Sequence, residues 1–159
     1  GLPPHRGVVF EAAQGVLIDE RWGFAPHTTW SDCTFNGAEE LAEEPPIRVG
    51  LIRAHSVRHG PGPFPTEDPD WPAPDRHNGT GPWQGRVRAG PLDLDLLEYA
   101  VACVGGVDLM GVTWLDRPHP RSPPDLLERI HAIAPVGLIA DGPTARHRVW
   151  RAGYPEAAG

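Results

Sequence analysis

The chain has 159 residues, enough for one domain with its own core, and carries 14 cationic against 21 anionic side chains, a formal net charge of −7. That balance excludes a general nucleic-acid binder, because neutralising a phosphate backbone takes a surplus of clustered cations. All 14 cations are arginines, which excludes any step needing a lysine amine, and no run approaches the ~20 apolar residues that span a bilayer.

Gly7-Val8-Val9-Phe10-Glu11 is a short apolar run entering a turn and predicts a first strand. Glu39 to Pro46 reads as a solvated acidic connection. The β-branched run Ile47 to Ala54 predicts a second strand. From Gly60 to Trp83 the chain is dense in proline and glycine without apolar periodicity, the signature of a long surface loop or a lid. Pro91 suits the first position of a helix, with Asp93 and Asp95 near its positive end and Leu92, Leu96, Leu97, Ala100, Val101 and Val104 on one face.

Gly105-Gly106 then punctuates the chain before a third strand, Val107 to Trp114. Ser122-Pro123-Pro124-Asp125 predicts the start of a second helix carrying Leu126, Leu127, Ile130 and Ile133, and Val136 to Ala140 a fourth strand. Strands alternating with helices indicate an α/β fold: a partial, mostly parallel sheet with flanking helices and long Pro/Gly-rich loops, in one domain over 1–159. In such sheets ligands bind beyond the carboxyl ends of the strands. Cys33 and Cys103 lack a paired spacing and predict reduced thiols. The N-terminus has no charged region followed by an apolar core, so an unexported, cytoplasmic protein is expected.

The segment Phe10-Glu11-Ala12-Ala13-Gln14-Gly15-Val16-Leu17-Ile18-Asp19 resembles the F-E-G-A-Q-G-x-L-L-D of adenylosuccinate synthetases, with Gly23, Pro26 and Thr29 continuing the spacing. The run from Arg53 to Glu67 is similar to their K-A-Y-x-T-R-V-G-x-G-P-F-P-T-E, the most specific motif of the chain. Gly85 to Asp93 resembles a shortened T-G-R-x-R-R-x-G-W-L-D, Thr113-Trp114-Leu115-Asp116 the T-K-L-D that reads guanine, and Ile139 to Pro143 the terminal I-S-T-G-P. The resemblance covers most of residues 7 to 146 and implies the central and C-terminal part of that family's P-loop NTPase-like fold.

The family is a GTP-dependent carbon-nitrogen ligase of purine biosynthesis that joins IMP to aspartate, with Mg²⁺ held largely by nucleotide phosphates and a phosphate loop. Positioning and charge stabilisation carry such phosphoryl transfers. The G-D-E-G-K-G-K loop bearing the catalytic Asp, and the catalytic His that follows it, have no counterpart in this sequence, so no catalytic residue is assigned and a complementary N-terminal half is expected as a partner. The resemblance also implies a homodimer.

Carried over by motif, Gln14, Ile18, Thr29 and His59 line the IMP site, and Arg86 and Arg88 hold carboxylates as planar bidentate donors. Thr113, Trp114, Asp116, Gly142 and Pro143 meet the guanine nucleotide. Each has a plainer reading: Gln14 a turn residue bonding to backbone, His59 a solvent-facing loop side chain, Arg86 and Arg88 a solvated charge pair, Asp116 a strand-end cap. Trp83 and Gln84 replace two family threonines, and Trp114 a family lysine whose packing on the base an indole can substitute. Three functional readings follow: a ligase segment needing its other half, a non-catalytic purine-nucleotide-binding module or pseudoenzyme, and a decayed fragment.

Overall fold

The computed structural model describes residues 7–72, 79–116 and 119–151. Two compact units are distinct, one ending at Pro46 and one beginning at Ile47.

In the first unit Val16–Ile18 forms a single 3-10 turn and α1 spans Asn36–Leu41. This short helix takes up part of the stretch expected as an acidic connection. The strand expected at Gly7–Glu11 is not formed: those residues have no regular secondary structure, are exposed, and are without a ladder partner among the described residues. Strand structure is completed only by a neighbour that takes up backbone N–H and C=O groups, so an apolar run alone does not make one. Order in this unit comes instead from Asp19. Its buried carboxylate accepts from the backbone N–H groups of Arg21 (2.7 Å), Trp22 (3.0 Å) and Cys33 (2.6 Å), pinning two turns together.

The second unit is built on a four-stranded sheet ordered β1-β4-β5-β6 and a separate antiparallel ribbon, β2 with β3. β1 (Val49–Arg53), β4 (Leu109–Thr113) and β5 (Val136–Ala140) run parallel, and β6 (Arg148–Trp150) closes the row antiparallel to β5. The expectation of an α/β, mostly parallel sheet therefore holds. The single run predicted at Ile47–Ala54 ends its pairing with β4 at Ala54, whose N–H donates to the Thr113 carbonyl (2.8 Å). The chain then turns into β2 (His55–His59), which pairs with β3 (Val87–Pro91) from His55↔Pro91 to His59↔Val87.

Pro91 is accordingly the last residue of β3 and not the first of a helix. The helix, α2, spans Leu94–Cys103 and is capped by Asp93, whose side chain accepts from the Leu96 N–H at 3.0 Å. Ser56 of β2 receives the Asp93 N–H (3.1 Å) and so ties the helix start to the ribbon. Gly105 and Gly106 both adopt positive φ and turn back to the carbonyls of Ala102 and Val101, the left-handed exit that glycine allows at a helix end.

α3 spans Leu126–Ile133 and starts later than Ser122; the cap position is Asp125, and the Ser122 N–H instead closes a turn onto His119. At its other end His131 Nδ1 accepts from Val136 N–H (3.0 Å), coupling helix end to strand start. Both helices cover one face of the sheet. Leu97, Leu126 and Ile130 meet Met110, Val112 and Val136 in a buried core flanked by Ile52 and Ile139. Each such side chain contributes about 1.5–3 kcal/mol by leaving water.

Candidate functional site

The G-x-G-P-F-P-T-E loop follows β2 and is held by β3. Cross-strand pairing places Arg58 opposite Arg88, a like-charge pair that destabilises a ribbon unless the charges find other partners. Arg58 Nε donates to the Pro61 carbonyl (2.9 Å). Burial first, and then the charge of Arg88, lower its pKa below the ordinary arginine value. Arg88 spreads its guanidinium across the loop, donating from Nε to the Gly60 carbonyl (3.0 Å), from Nη2 to the Gly62 carbonyl (2.7 Å) and from Nη1 to Glu67 Oε2 (2.7 Å). It also lies 5.6 Å from the Phe64 ring centroid. Arg86 takes the other carboxylate oxygen, Nη2 to Glu67 Oε1 at 2.9 Å, with its side chain 64% exposed.

Glu67 is thus the anchor of both arginines, a role that the motif comparison missed because partners 19 and 21 residues apart leave no local pattern. Arg88 acts chiefly as the clasp that gives the loop its shape. Arg86 and the exposed His59 remain at the open end of the ribbon, where Gly60 N–H meets the Arg86 carbonyl (3.1 Å). The loop also approaches β3 closely at Gly90, where a Cβ would fall onto the Thr66 carbonyl oxygen.

A second cluster lies where β4 and β5 end. Because the two strands are parallel neighbours, the segments after Thr113 and after Ala140 emerge at the same edge of the sheet, joined by Leu115 N–H to the Ala140 carbonyl (3.3 Å). Thr113, Trp114 and Asp116 are therefore brought beside Gly142 and Pro143, as expected for the carboxyl edge of a parallel sheet. Thr113 gives its hydroxyl to the Ile52 carbonyl (2.9 Å), which commits it to the β1–β4 pairing. Trp114, at φ 64°, places its ring 5.0 Å from His55 and 4.9 Å from the Arg53 guanidinium. Asp116 is exposed. Gly142 allows the His147 ring to approach, since a Cβ there would lie 2.5 Å from its Cγ.

His55 and Trp71, both buried, extend this cluster into a ladder of rings. Trp71 lies 6.3 Å from His55 and 4.0 Å from His119, and Arg121 sits over Trp71 while pairing with Asp68. Nothing in the local sequence marks these residues as neighbours, as they come from three separate segments.

In the first unit Thr29 N–H donates to the Ile18 carbonyl (2.7 Å), so two of the three residues assigned there are brought together. Gln14 is exposed on the bend just before the 3-10 turn. Burial raises the Asp19 pKa, but the N–H donors of Cys33, Arg21 and Trp22 outweigh it and leave the carboxyl below its ordinary value. Asp19 is therefore ionised at neutral pH, and it fixes the turn from Ile18 to Thr29. Among the described residues no group of three or more His, Cys, Asp or Glu side chains is placed to hold a metal ion.

The described helices include none long and apolar enough to cross a membrane. The adenylosuccinate synthetase of Sorangium cellulosum is 41% identical over 118 residues, covering 69% of this chain and 27% of that protein. That of Francisella philomiragia is 36% identical over 106 residues, 62% of this chain and 25% of the relative. The chain thus spans about a quarter of the length of the curated relatives it matches.

The fold is similar to the succinoaminodeoxyadenylate synthetase of cyanophage S-2L bound to dGMP and dATP as an energy donor, at TM-score 0.67 and 19% identity, covering 86% of this chain and 44% of that one. It is also similar to the fully ligated adenylosuccinate synthetase of Plasmodium falciparum, at TM-score 0.62 and 18% identity, over 86% and 48% of the two chains. The adenylosuccinate synthetase family model matches residues 3–119, a span that includes the loop clasped by Arg88 and ends before Gly142 and Pro143, and the chain belongs to that family.

Proposed function

We propose that this chain supplies purine-nucleotide recognition to a GTP-dependent ligation of IMP and aspartate, and that the phosphate loop and acid-base pair act from a part of the fold that this sequence does not carry. The observation that carries this reading is the intact, clasped G-x-G-P-F-P-T-E loop. Arg88 and Glu67 hold it with direct bonds, and it leaves His59 and Arg86 at its open end.

In this reading Gln14, Ile18, Thr29 and His59 contact IMP. Arg86 receives a carboxylate, and Arg88 positions the loop on which Arg86 depends. Asp116 accepts hydrogen bonds from the guanine edge, with Thr113, Trp114, Gly142 and Pro143 forming the wall beside it. No described cluster suits a metal, so Mg²⁺ would arrive on the nucleotide phosphates, where it supplies charge neutralisation in phosphoryl transfer. We place the protein in the cytoplasm, acting as a homodimer or with its complementary half.

A second reading, a purine-nucleotide-binding module without turnover, is favoured by Trp114. At the guanine-reading position the indole is already engaged by His55 and Arg53, in place of a lysine stem lying along a base. Turnover separates the two. Phosphate release from GTP in the presence of IMP and aspartate, once the complementary half is added, supports the ligase; saturable nucleotide binding with no phosphate release under the same conditions supports the module.

A further inference from the structure

The turn that leads into β3 is closed on itself. Gly81 and Gly85 exchange N–H···O bonds of 3.0 and 2.9 Å, so that Pro82, Trp83 and Gln84 form a short hairpin loop between them. Gly85 adopts φ 70°, and the loop rests against the G-x-G segment: a Cβ on Gly60 would lie 2.5 Å from the Gln84 carbonyl oxygen. Trp83 stands at the apex with its ring in solvent, 94% exposed.

A single exposed indole is ordinary on a protein surface. Trp83 differs in being held on a braced turn beside a guanidinium that has donors left. Arg86 follows the turn directly and is mostly exposed, and among the described residues it bonds through Nη2 alone, to Glu67. Arg88 has no such capacity, since each of its nitrogens already donates within the loop and its side chain is 13% exposed. Arg58 is turned to the Pro61 carbonyl. The Glu67 carboxylate lies between Arg86 and Arg88 and repels a second negative charge brought to the same place.

These groups define a ligand by its chemistry. Arg86 can take one carboxylate, and an aromatic ring can lie on the indole, offset-stacked or edge-on. A second carboxylate, as in aspartate, would meet the face of Trp83 and the neutral amide of Gln84, where the family has two threonine hydroxyls. A ring held on a rigid turn also loses little freedom when a ligand stacks on it.

We propose that Trp83 is a specificity-determining residue at the amine-substrate end of this site, and that it extends the amine acceptors beyond aspartate to amino acids with one carboxylate and a planar, apolar side chain. The inference rests on the reading in which Arg86 receives a carboxylate. It goes further by assigning the group that selects the rest of the amine substrate.

The test is heteronuclear NMR of the isotopically labelled full chain, with the Trp83 indole and Arg86 Nε cross-peaks assigned from Trp83→Thr and Arg86→Ala. The ligands titrated are L-phenylalanine, L-aspartate and phenethylamine, which lacks the carboxylate. L-phenylalanine is expected to shift both cross-peaks saturably, and phenethylamine to bind about tenfold more weakly for want of the charge-assisted contact. In Trp83→Thr, read at the Arg86 cross-peak, phenylalanine affinity should fall about tenfold relative to aspartate, the loss of one stacking contact. The urea midpoint of that variant should match wild type, because the ring is in solvent.

Three results would overturn the proposal: a Trp83 cross-peak that responds to protein concentration or to nothing and not to phenylalanine, phenylalanine and phenethylamine binding alike, or a folded Trp83→Thr chain that binds phenylalanine as well as wild type. Calorimetric titration of the chain with IMP and GTP reads the nucleotide-recognition proposal separately. Nucleotide binding with an unmoved Trp83 sinks the amine specificity only; the phenylalanine response without nucleotide binding sinks the functional reading only.

Discussion

Replacing Arg88 by alanine removes three hydrogen bonds at once: two to the backbone carbonyls of Gly60 and Gly62, and one, charge-assisted, to Glu67. The side chain is 13% exposed, so the orphaned carbonyls are only partly recovered by water. A typical bond contributes about 1 kcal/mol net and a charged one about 1.5–3 kcal/mol. Relief of the Arg58–Arg88 repulsion offsets part of this. The net expected loss is about 2–4 kcal/mol. At a urea slope of roughly 2 kcal/mol/M this lowers the unfolding midpoint by about 1–2 M.

Arg86→Ala is the internal control. Its single bond to Glu67 comes from a side chain mostly in water, and its expected cost is below about 1 kcal/mol. Urea unfolding followed by tryptophan fluorescence reports on this unit, since Trp71 and Trp114 sit in the ring ladder beside the loop. An Arg88→Ala protein within about 0.5 kcal/mol of wild type, or an Arg86→Ala protein equally destabilised, would refute the assignment of Arg88 as the clasp.

Gly90→Ala forces a methyl group onto the Thr66 carbonyl and should destabilise the second unit by more than about 3 kcal/mol, or prevent its folding, as read by the same urea transition. The Asp19 pKa is depressed in the folded state, so its contribution is fully present above the ordinary value of 3.8 and is lost as pH falls through the lower folded value. Stability measured by circular dichroism should therefore decline on acidification. Asp19→Asn should flatten that decline and cost about 1–3 kcal/mol at neutral pH. A His59→Ala variant should keep wild-type stability, because the side chain is exposed, and should lose IMP affinity in calorimetry.

The parts of the fold legible in the sequence are those where local pattern and tertiary need agree. The apolar runs at Leu109–Thr113 and Val136–Ala140 became parallel strands buried against helices, and Gly105-Gly106 marked the end of α2. The β2–β3 ribbon was not legible, since Ser56, Arg58, Arg88 and Gly90 show no apolar alternation and are held by cross-strand and loop bonds. Proline at position 91 suits both a strand end and a helix start, and the ribbon's pairing decided between them. Gly7–Glu11 failed in the opposite sense: its composition fits a strand, but composition supplies no neighbour.

At the site the motifs identified which residues to examine and not what each one touches. Arg86 and Arg88 look equivalent in a G-R-x-R pattern. The fold separates them into an exposed guanidinium and a part-buried clasp because Glu67 and two loop carbonyls converge on the second. The position of Trp114 between His55 and Arg53 depends on segments distant in sequence and on a positive φ at a non-glycine residue.

The most direct test of purine-nucleotide recognition is calorimetric titration of the folded chain with IMP, GTP and GDP, repeated on Gln14→Ala and Asp116→Ala. The account predicts saturable IMP binding lost in the first variant and guanine-nucleotide binding lost in the second. A cooperatively folded protein that takes up none of the three, or variants that bind as well as wild type, would contradict it.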